Sequence, residues 1–162
     1  MTNWLSGAAV LLAAAVSGAH AATLCTAKEQ VIFSCSTGAK LVSVCAAGDL
    51  SAGVGSLTYR YGPPGKPEMS YPSGPWRGVV RSGTWTFSGG GGAYLTFRRE
   101  AFRYIVYTAI GRGWGEKAGV AVEQNGRLLT NQACRDKPLS EIGPDFFSNS
   151  GIPDDATPFE LP

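Results

Sequence analysis

Histidine is almost absent from this sequence: His20 is the only one among 162 residues. Ser-His-Asp triads, Cys-His dyads and the common zinc centres all need an imidazole that titrates near neutral pH. Because His20 lies in a segment that we expect to be removed on export, the mature chain would have no histidine. This absence excludes those chemistries, and we predict no catalytic residue, no metal site and no cofactor.

Long apolar runs and charged residues are also scarce. No segment approaches the roughly 20 apolar residues that a helix needs to cross a bilayer, and charged residues make up only 16% of the chain. The apolar run at residues 8–16 is short, and it is followed by Ala19-His20-Ala21, the alternate small residues that signal peptidase requires. We therefore predict a signal peptide at residues 1–21, a periplasmic or secreted protein, and no transmembrane segment.

The four cysteines stand at positions 25, 35, 45 and 134. An oxidising compartment converts such thiols into bridges, so an exported chain is expected to hold two disulfides. The spacing lacks the close cysteine pairs of a zinc site, which argues against metal binding. Two predicted strands, residues 29–36 and 40–46, would form a hairpin around Thr37-Gly38.

The register of this hairpin restricts the cysteine pairing. It places Cys45 opposite a residue near Gln30, about five residues from Cys35, and at about 3.4 Å per residue that is too far for a disulfide. A bridge from Cys25 to Cys35 would span most of one strand and fails for the same reason. Elimination favours Cys25 with Cys45 and Cys35 with Cys134, provided that this register holds.

Alternation of apolar and polar residues runs through most of the remaining sequence, as expected for half-buried strands. Residues 102–109 are apolar on both faces, which is typical of a central strand between two layers, and Asn125-Gly126 is a strong hairpin signal. The other predicted strands are residues 56–61, 68–71, 84–87, 93–97, 118–124 and 127–133. We predict an all-β fold, a small antiparallel barrel or sandwich of about eight strands.

A short helix and a tail complete the predicted domain organisation. The helix is expected near the C-terminus, within residues 138–148. Its apolar face would contain Leu139, Ile142 and Phe146. Residues 22–148 would form one disulfide-linked β domain, and residues 149–162 an acidic, proline-containing tail.

Charge is distributed unevenly along the chain. Residues 22–135 carry thirteen Lys and Arg against six Asp and Glu, whereas residues 136–162 carry one Lys against six acids. One interpretation is that the tail packs back on the basic body and neutralises it. The other is that the tail covers a basic surface meant for an anionic partner.

The segment around Trp114 has the composition of a binding loop. It places a tryptophan between glycines, with Arg112, Glu116 and Lys117 beside it, as in a loop that presents an aromatic anchor. The alternative is that Trp114 only caps the end of the barrel.

Aromatic and basic residues also alternate at residues 59–61 and 97–104, and Trp76 and Arg77 lie together in a proline-rich loop that offers the same choice between anchor and cap. Such interleaving is able to bind an anionic glycan or single-stranded nucleic acid by stacking and charge. Export makes nucleic acid a poor partner, and strand alternation assigns most of the aromatics to the core. We expect a protein or an anionic glycan as partner, and no nucleic acid.

Ser88-Gly89 and Tyr94 enclose a run of glycines that leads into an aromatic strand. This loop resembles the Ser-Gly-x-x-Tyr loop of the periplasmic lysozyme inhibitors, which are small disulfide-linked antiparallel β-barrels with a signal peptide. The chain as a whole resembles small exported bacterial β-proteins. In this sequence Tyr94 comes two residues later than in the family pattern. The resemblance implies that Ser88, Gly89 and Tyr94 contact the active site of a hydrolase.

These features predict an exported, non-catalytic binding protein of the bacterial envelope or exterior, and inhibition of a hydrolase is one form that its activity would take. The expected binding residues are Ser88, Gly89, Tyr94, Arg112, Trp114, Glu116 and Lys117. A carboxylate-dependent glycan hydrolase is one alternative, and it would show two carboxylates about 5–10 Å apart across a cleft. A small-ligand carrier is another, and it would need an open apolar interior.

Overall fold

The computed structural model describes residues 22–48, 50–51 and 54–162, and the predicted signal peptide at residues 1–21 lies outside them. Within the described part of the chain, ten strands form two five-stranded antiparallel sheets and one short helix follows them. No helix in this part of the chain has the length and apolar character needed to span a membrane. The predicted all-β class is confirmed, and the architecture is a sandwich of two sheets.

Sheet I is built mainly from the N-terminal half of the chain. Its strands are β1 (Glu29–Ser36), β2 (Leu41–Ala47), β3 (Leu57–Gly62), β4 (Met69–Tyr71) and β10 (Leu139–Ser140). They pair antiparallel in the order β10-β1-β2-β3-β4. The first four match predicted strands, whereas β10 has only two residues, too few to show any periodicity.

Sheet II is a meander in which each strand pairs with the next along the chain. Its strands are β5 (Val80–Phe87), β6 (Gly90–Arg99), β7 (Phe102–Gly111), β8 (Gly115–Gln124) and β9 (Arg127–Ala133). The predicted positions are correct, but several predicted strands are too short. Strand β7 is central and is covered on both faces, as its apolar sequence indicates.

The main core lies between the facing sides of the two sheets, which we call their inner faces. Phe33 and Val44 from sheet I belong to one buried cluster with Leu95 and Phe97 from sheet II, and all four side chains are fully buried. Burying a side chain of this kind contributes about 1.5–3 kcal/mol. Trp76, from the loop before β5, is also part of this cluster. Large side chains therefore fill the space that an apolar ligand would occupy in a carrier.

Two disulfides link Cys25 to Cys45 and Cys35 to Cys134, the same pairs that elimination favours. Their Cα atoms are 5.3 Å and 5.6 Å apart. Cys45 lies opposite Val31, one residue from the expected position. The turn has four residues, 37–40, which alone would place Ile32 opposite Cys45, and a register shift in β1 between Val31 and Phe33 moves the partner back by one residue. The second bridge joins β1 of sheet I to the residue that follows β9 of sheet II.

The hairpin at Asn125-Gly126 forms as predicted. Gln124 pairs with Arg127, so the two residues between them make the whole turn. Asn125 has a φ of 49° and Gly126 a φ of 76°. A two-residue turn with both φ angles positive matches the right-handed twist of the strands, and Asn-Gly adopts it at little cost.

The C-terminal helix begins later than predicted. Helix α1 is Pro144–Ser150, and the residues before it contain β10 instead of the first helical turn. The predicted short C-terminal helix is confirmed, but it does not include Leu139, because a proline is tolerated in the first turn of a helix and breaks its middle. Gly151, with a φ of 65°, ends α1. Of the predicted apolar face, Ile142 is buried, Phe146 half-buried and Leu139 exposed.

Candidate functional site

Two hairpin ends of sheet II lie side by side. Phe87 pairs with Gly90, which makes Ser88-Gly89 the tip between β5 and β6. Gly111 pairs with Gly115, which makes residues 112–114 the tip between β7 and β8. The two tips are in contact, because a Cβ added to Gly89 would lie 3.1 Å from the Cβ of Arg112.

Both tips depend on glycines with left-handed backbone. Gly89 has a φ of 80° and Gly113 a φ of 90°, conformations that residues with a side chain rarely adopt. We call the surface made by Ser88, Gly89, Arg112 and Trp114 the tip surface. These four predicted binding residues are brought together at one end of sheet II.

Trp114 is exposed yet held in place. Its ring lies over Gly111, where a Cβ would overlap it, and its edge meets the ring of Phe87 at a centroid distance of 5.7 Å. The Nζ of Lys117 lies 5.4 Å from the ring centroid of Trp114, within the range of a cation–π contact. The side chain still leaves 40% of its surface exposed. Trp114 is therefore a fixed aromatic group that is partly open to a partner.

Glu116 and Lys117 point to opposite faces of sheet II, because neighbouring residues of a strand alternate. Glu116 lies on the inner face, opposite Ile110. Lys117 lies on the other side, which we call the outer face, and its Nζ donates to the backbone oxygen of Pro162 at 2.7 Å. Only Glu116 faces the cleft next to the tips.

This cleft has a volume of about 510 Å³ and lies where the inner face of sheet II extends beyond sheet I. Threonines and small residues of β5 to β8 line one side, and the segment before α1 lines the other. The residues are Thr84, Trp85, Thr86, Gly91, Gly92, Ala93, Thr108, Ala109, Ile110, Glu116, Ile142, Gly143 and Pro144. Glu116 is the single carboxylate among these described lining residues, whereas a glycosidase of the expected kind needs two.

Tyr94 lies away from the tip surface. Its side chain is 3% exposed on the outer face of sheet II, and its ring occupies the space that a Cβ at Gly83 would need. Burial raises the pKa of this phenol. The residues Ser88, Gly89 and Tyr94 therefore do not form one exposed loop, since β6 begins at Gly90 and carries Tyr94 into the buried part of the sheet.

The interleaved aromatic and basic residues are largely engaged inside the protein. Tyr59 and Trp76 are buried in the core, and the guanidinium carbon of Arg77 lies 5.7 Å from the ring centroid of Trp76. Arg60 forms a half-buried ion pair with Glu29, with Nη1 2.6 Å from Oε2. Burial raises the pKa of Glu29, but hydrogen bonds, including those from Arg60, lower this pKa by more than burial raises it. The net pKa is therefore below the ordinary value.

The acidic tail packs on the outer face of sheet II. The carboxylate of Asp155 accepts hydrogen bonds from Arg98, from Thr96 Oγ1 at 2.9 Å and from Arg103 Nη2 at 3.0 Å. Arg103 also pairs with Glu123, with Nη1 2.6 Å from Oε2. The tail thus neutralises part of the basic body, as the first interpretation of the charge distribution expects.

Phe159 anchors the tail further along. Its ring contacts Trp85, Tyr94 and Tyr107 at centroid distances of 5.9, 5.8 and 6.0 Å, and Trp85 Nε1 donates to the backbone oxygen of Phe159 at 2.8 Å. No sequence motif marks Phe159 or Trp85 as an anchor of the tail. The available signal was the presence of isolated apolar residues in an otherwise polar tail, which need a surface to cover them.

Among the described residues, no group of three or more Cys, His, Asp or Glu is placed to hold a metal ion. Comparison with known proteins adds no family. No protein-family model matches the chain, and no curated protein and no solved structure matches it. Conclusions about its function therefore rest on its own residues.

Proposed function

We propose that this chain is an exported, non-catalytic binding protein that contacts a partner protein through the tip surface. The observation that carries the proposal is Trp114, which is 40% exposed although Gly111, Phe87 and Lys117 hold its ring in place. Tryptophan and arginine are the residues most often found at the energetic centre of protein interfaces.

The rigidity of the tip surface favours binding. A side chain that is already fixed loses little conformational entropy when a partner covers it. The neighbouring tip, Ser88-Gly89, is narrow because Gly89 has no side chain, so both tips are able to enter a concave site together.

A hydrolase is the partner class that we favour. The tips are hairpin ends of sheet II, and Arg112 adds an exposed positive charge. Active-site clefts of glycan hydrolases carry paired carboxylates, which Arg112 would contact. Inhibition would follow from occupation of the cleft.

Export to the periplasm or the exterior belongs to the same proposal. Two disulfides support it, since such bridges persist in oxidising compartments and are rare in reducing ones.

The test is capture of partners from periplasmic extract and host secretions by residues 22–162, with Trp114→Ala as the key variant. Leu139→Ala is the matched control, because Leu139 is 45% exposed but lies on sheet I. We expect Trp114→Ala to reduce capture of the specific partner about tenfold or more and Leu139→Ala to leave it unchanged. Equal capture by both variants would remove the tip surface as the binding site.

A second measurement concerns the hydrolase. The wild-type protein should slow turnover by the captured enzyme, and Arg112→Ala should weaken that effect. Hydrolysis of a glycan by the protein itself, lost in Glu116→Gln, would overturn the non-catalytic proposal in favour of an enzyme that uses the cleft.

A further inference from the structure

The outer face of sheet II contains two adjoining subsites, and the tail of the chain fills both. One subsite holds the carboxylate of Asp155, and the other holds the ring of Phe159. Three residues separate the two anchors, and the chain bends at Ala156 and Thr157, where the Thr157 N–H donates to Asp155 Oδ1 at 3.0 Å. This arrangement has the form of a peptide bound to a receptor surface.

The carboxylate subsite is made by Thr96, Arg98 and Arg103, which stand on the neighbouring strands β6 and β7. The Asp155 side chain is fully buried between them. Arg103 Nη2 also donates to the backbone oxygen of Thr157 at 2.9 Å. Two guanidinium groups and a hydroxyl that converge on one carboxylate form a strong and directional anion site.

The tail leaves one donor of this subsite unpaired. Arg103 is 7% exposed, and its buried Nε has no hydrogen-bond partner in the described part of the chain. In the planar guanidinium, the Nε–H lies beside Nη2, the nitrogen that faces the tail, and carboxylates commonly bind such a pair of donors together. A ligand that accepted from both nitrogens would therefore bind better than Asp155 does.

The aromatic subsite is made by Trp85, Tyr94 and Tyr107. It recognises backbone as well as a ring, because Trp85 Nε1 donates to the Phe159 oxygen and the Tyr94 hydroxyl accepts from the Phe159 N–H at 3.3 Å. At the other end of the tail, Asp154 forms a parallel bridge with Ser82 of β5. Backbone contacts of this kind do not depend on the sequence of the bound segment.

We propose that the outer face of sheet II is a binding site for a segment of another protein that carries a carboxylate and, four residues later, an aromatic ring. Residues 152–162 are its resident occupant in the free protein. A second copy of this chain is a poor occupant, because each copy already holds an identical segment at a high effective concentration. A foreign segment whose carboxylate also accepts from Arg103 Nε would bind more tightly than the resident tail does.

This site and the tip surface involve different residues, so each proposal is able to fail alone. The probe is a fluorescently labelled peptide of residues 152–162. The receptor is the full mature chain with Asp155→Ala and Phe159→Ala, which removes both anchors of the resident tail. We expect the peptide to bind this variant about tenfold more tightly than it binds the wild type.

Matched controls test the chemistry of each subsite. A peptide with Asp155→Asn should lose binding, whereas one with Glu160→Gln should keep it, because Glu160 is exposed. On the receptor, Arg98→Gln should weaken binding and Arg99→Gln should not.

A peptide with Asp155→Glu, whose longer side chain is able to reach Arg103 Nε, should bind more tightly and displace the tail of the wild type. Equal affinity for the Asn, Asp and Glu peptides would overturn the proposal.

The double variant is useful only if it keeps its native near-ultraviolet circular dichroism. A second design avoids that requirement by placing a protease site after Gly151 of the wild-type chain and cleaving it once folded. The cleaved tail should stay bound and then exchange with excess labelled peptide. A tail that never exchanges would show that it is a fixed part of the fold, and the proposal would be wrong.

Discussion

Asp155 makes the stability of the protein depend on pH. Burial raises the pKa of this carboxyl, but the Thr157 N–H, Thr96 and Arg98 donate to it and the charge of Arg103 lies nearby, so the net pKa is below the ordinary value. A carboxyl whose pKa is lower in the folded chain than in the unfolded chain stabilises the fold above the unfolded pKa, about 4. That contribution is lost as the pH falls through the folded pKa.

We therefore expect Asp155→Asn to lower the free energy of unfolding by about 2 kcal/mol at neutral pH. The difference from wild type should shrink as the pH falls below about 4, because Asp155 is then protonated in the unfolded chain, and it should be smallest once the pH is below the lowered pKa of the folded chain. Urea unfolding over a series of pH values measures this. Glu160→Gln is the control and should have no effect, and a difference for Asp155→Asn that stayed constant with pH would contradict the assignment.

Gly83 tests how closely Tyr94 packs on the sheet. Because an added Cβ would overlap the Tyr94 ring, Gly83→Ala should force that ring outward and destabilise the fold by about 1–3 kcal/mol. Gly74→Ala is the matched control, since nothing lies within 4 Å of a Cβ there. Urea unfolding of the two variants should differ, and equal stability would mean that the ring moves freely.

At the scale of elements, β9 is an edge of sheet II that no strand of the described residues covers. Leu128 and Leu129 on this strand are 51% and 54% exposed. The opposite edge, β5, is covered by the tail through Ser82, and the edge strands of sheet I have three residues or fewer. A long apolar edge is the part of a sheet most able to pair with another chain.

Leu129→Lys should therefore reduce self-association at high protein concentration, since an edge lysine opposes pairing. Light scattering against concentration and time measures the effect. Leu139→Lys, on the two-residue strand β10, should leave association as in the wild type. Association unchanged by Leu129→Lys would show that β9 is not the contact.

Elements with local signals could be predicted from the sequence, and those without could not. Asn125-Gly126 fixed a hairpin because the turn conformation is a property of those two residues. The period-2 pattern located most strands for the same reason. The place of α1, the burial of Tyr94 and the docking of Phe159 depend on contacts between distant segments, which no local pattern encodes.

The candidate site also has one feature that a local sequence pattern predicts and one that depends on contacts between distant segments. The glycines around Trp114 indicated an exposed loop, and the structure has one. Ser88-Gly89 lies against Arg112 because of the register of three hairpins in sheet II. The alternation of residues predicts the strands but not their register to one residue, so this contact could not be predicted from the sequence.

At the scale of the whole molecule, the two disulfides differ in what they join. Cys25 and Cys45 are 20 residues apart, whereas Cys35 and Cys134 are 99 apart and connect the two sheets. Closing a longer loop restricts the unfolded chain more. Replacing Cys35 and Cys134 by Ala should cost about 4–5 kcal/mol, against about 3 kcal/mol for the other pair.

Thermal and urea unfolding of the two double variants under oxidising conditions gives this comparison. Each variant keeps the other bridge and so serves as its control. A larger loss for Cys25 and Cys45 would mean that local packing near β2 outweighs the effect of loop length.

Residues 22–162 contain three tryptophans, and each lies in a different environment. Trp76 is in the core between the sheets, Trp85 is under the tail and hydrogen-bonded to it, and Trp114 is at the tips. Indole emission changes with polarity and with the loss of a hydrogen bond. The molecule therefore carries three optical reporters: one for unfolding, one for departure of the tail, and one for a partner arriving at the tips.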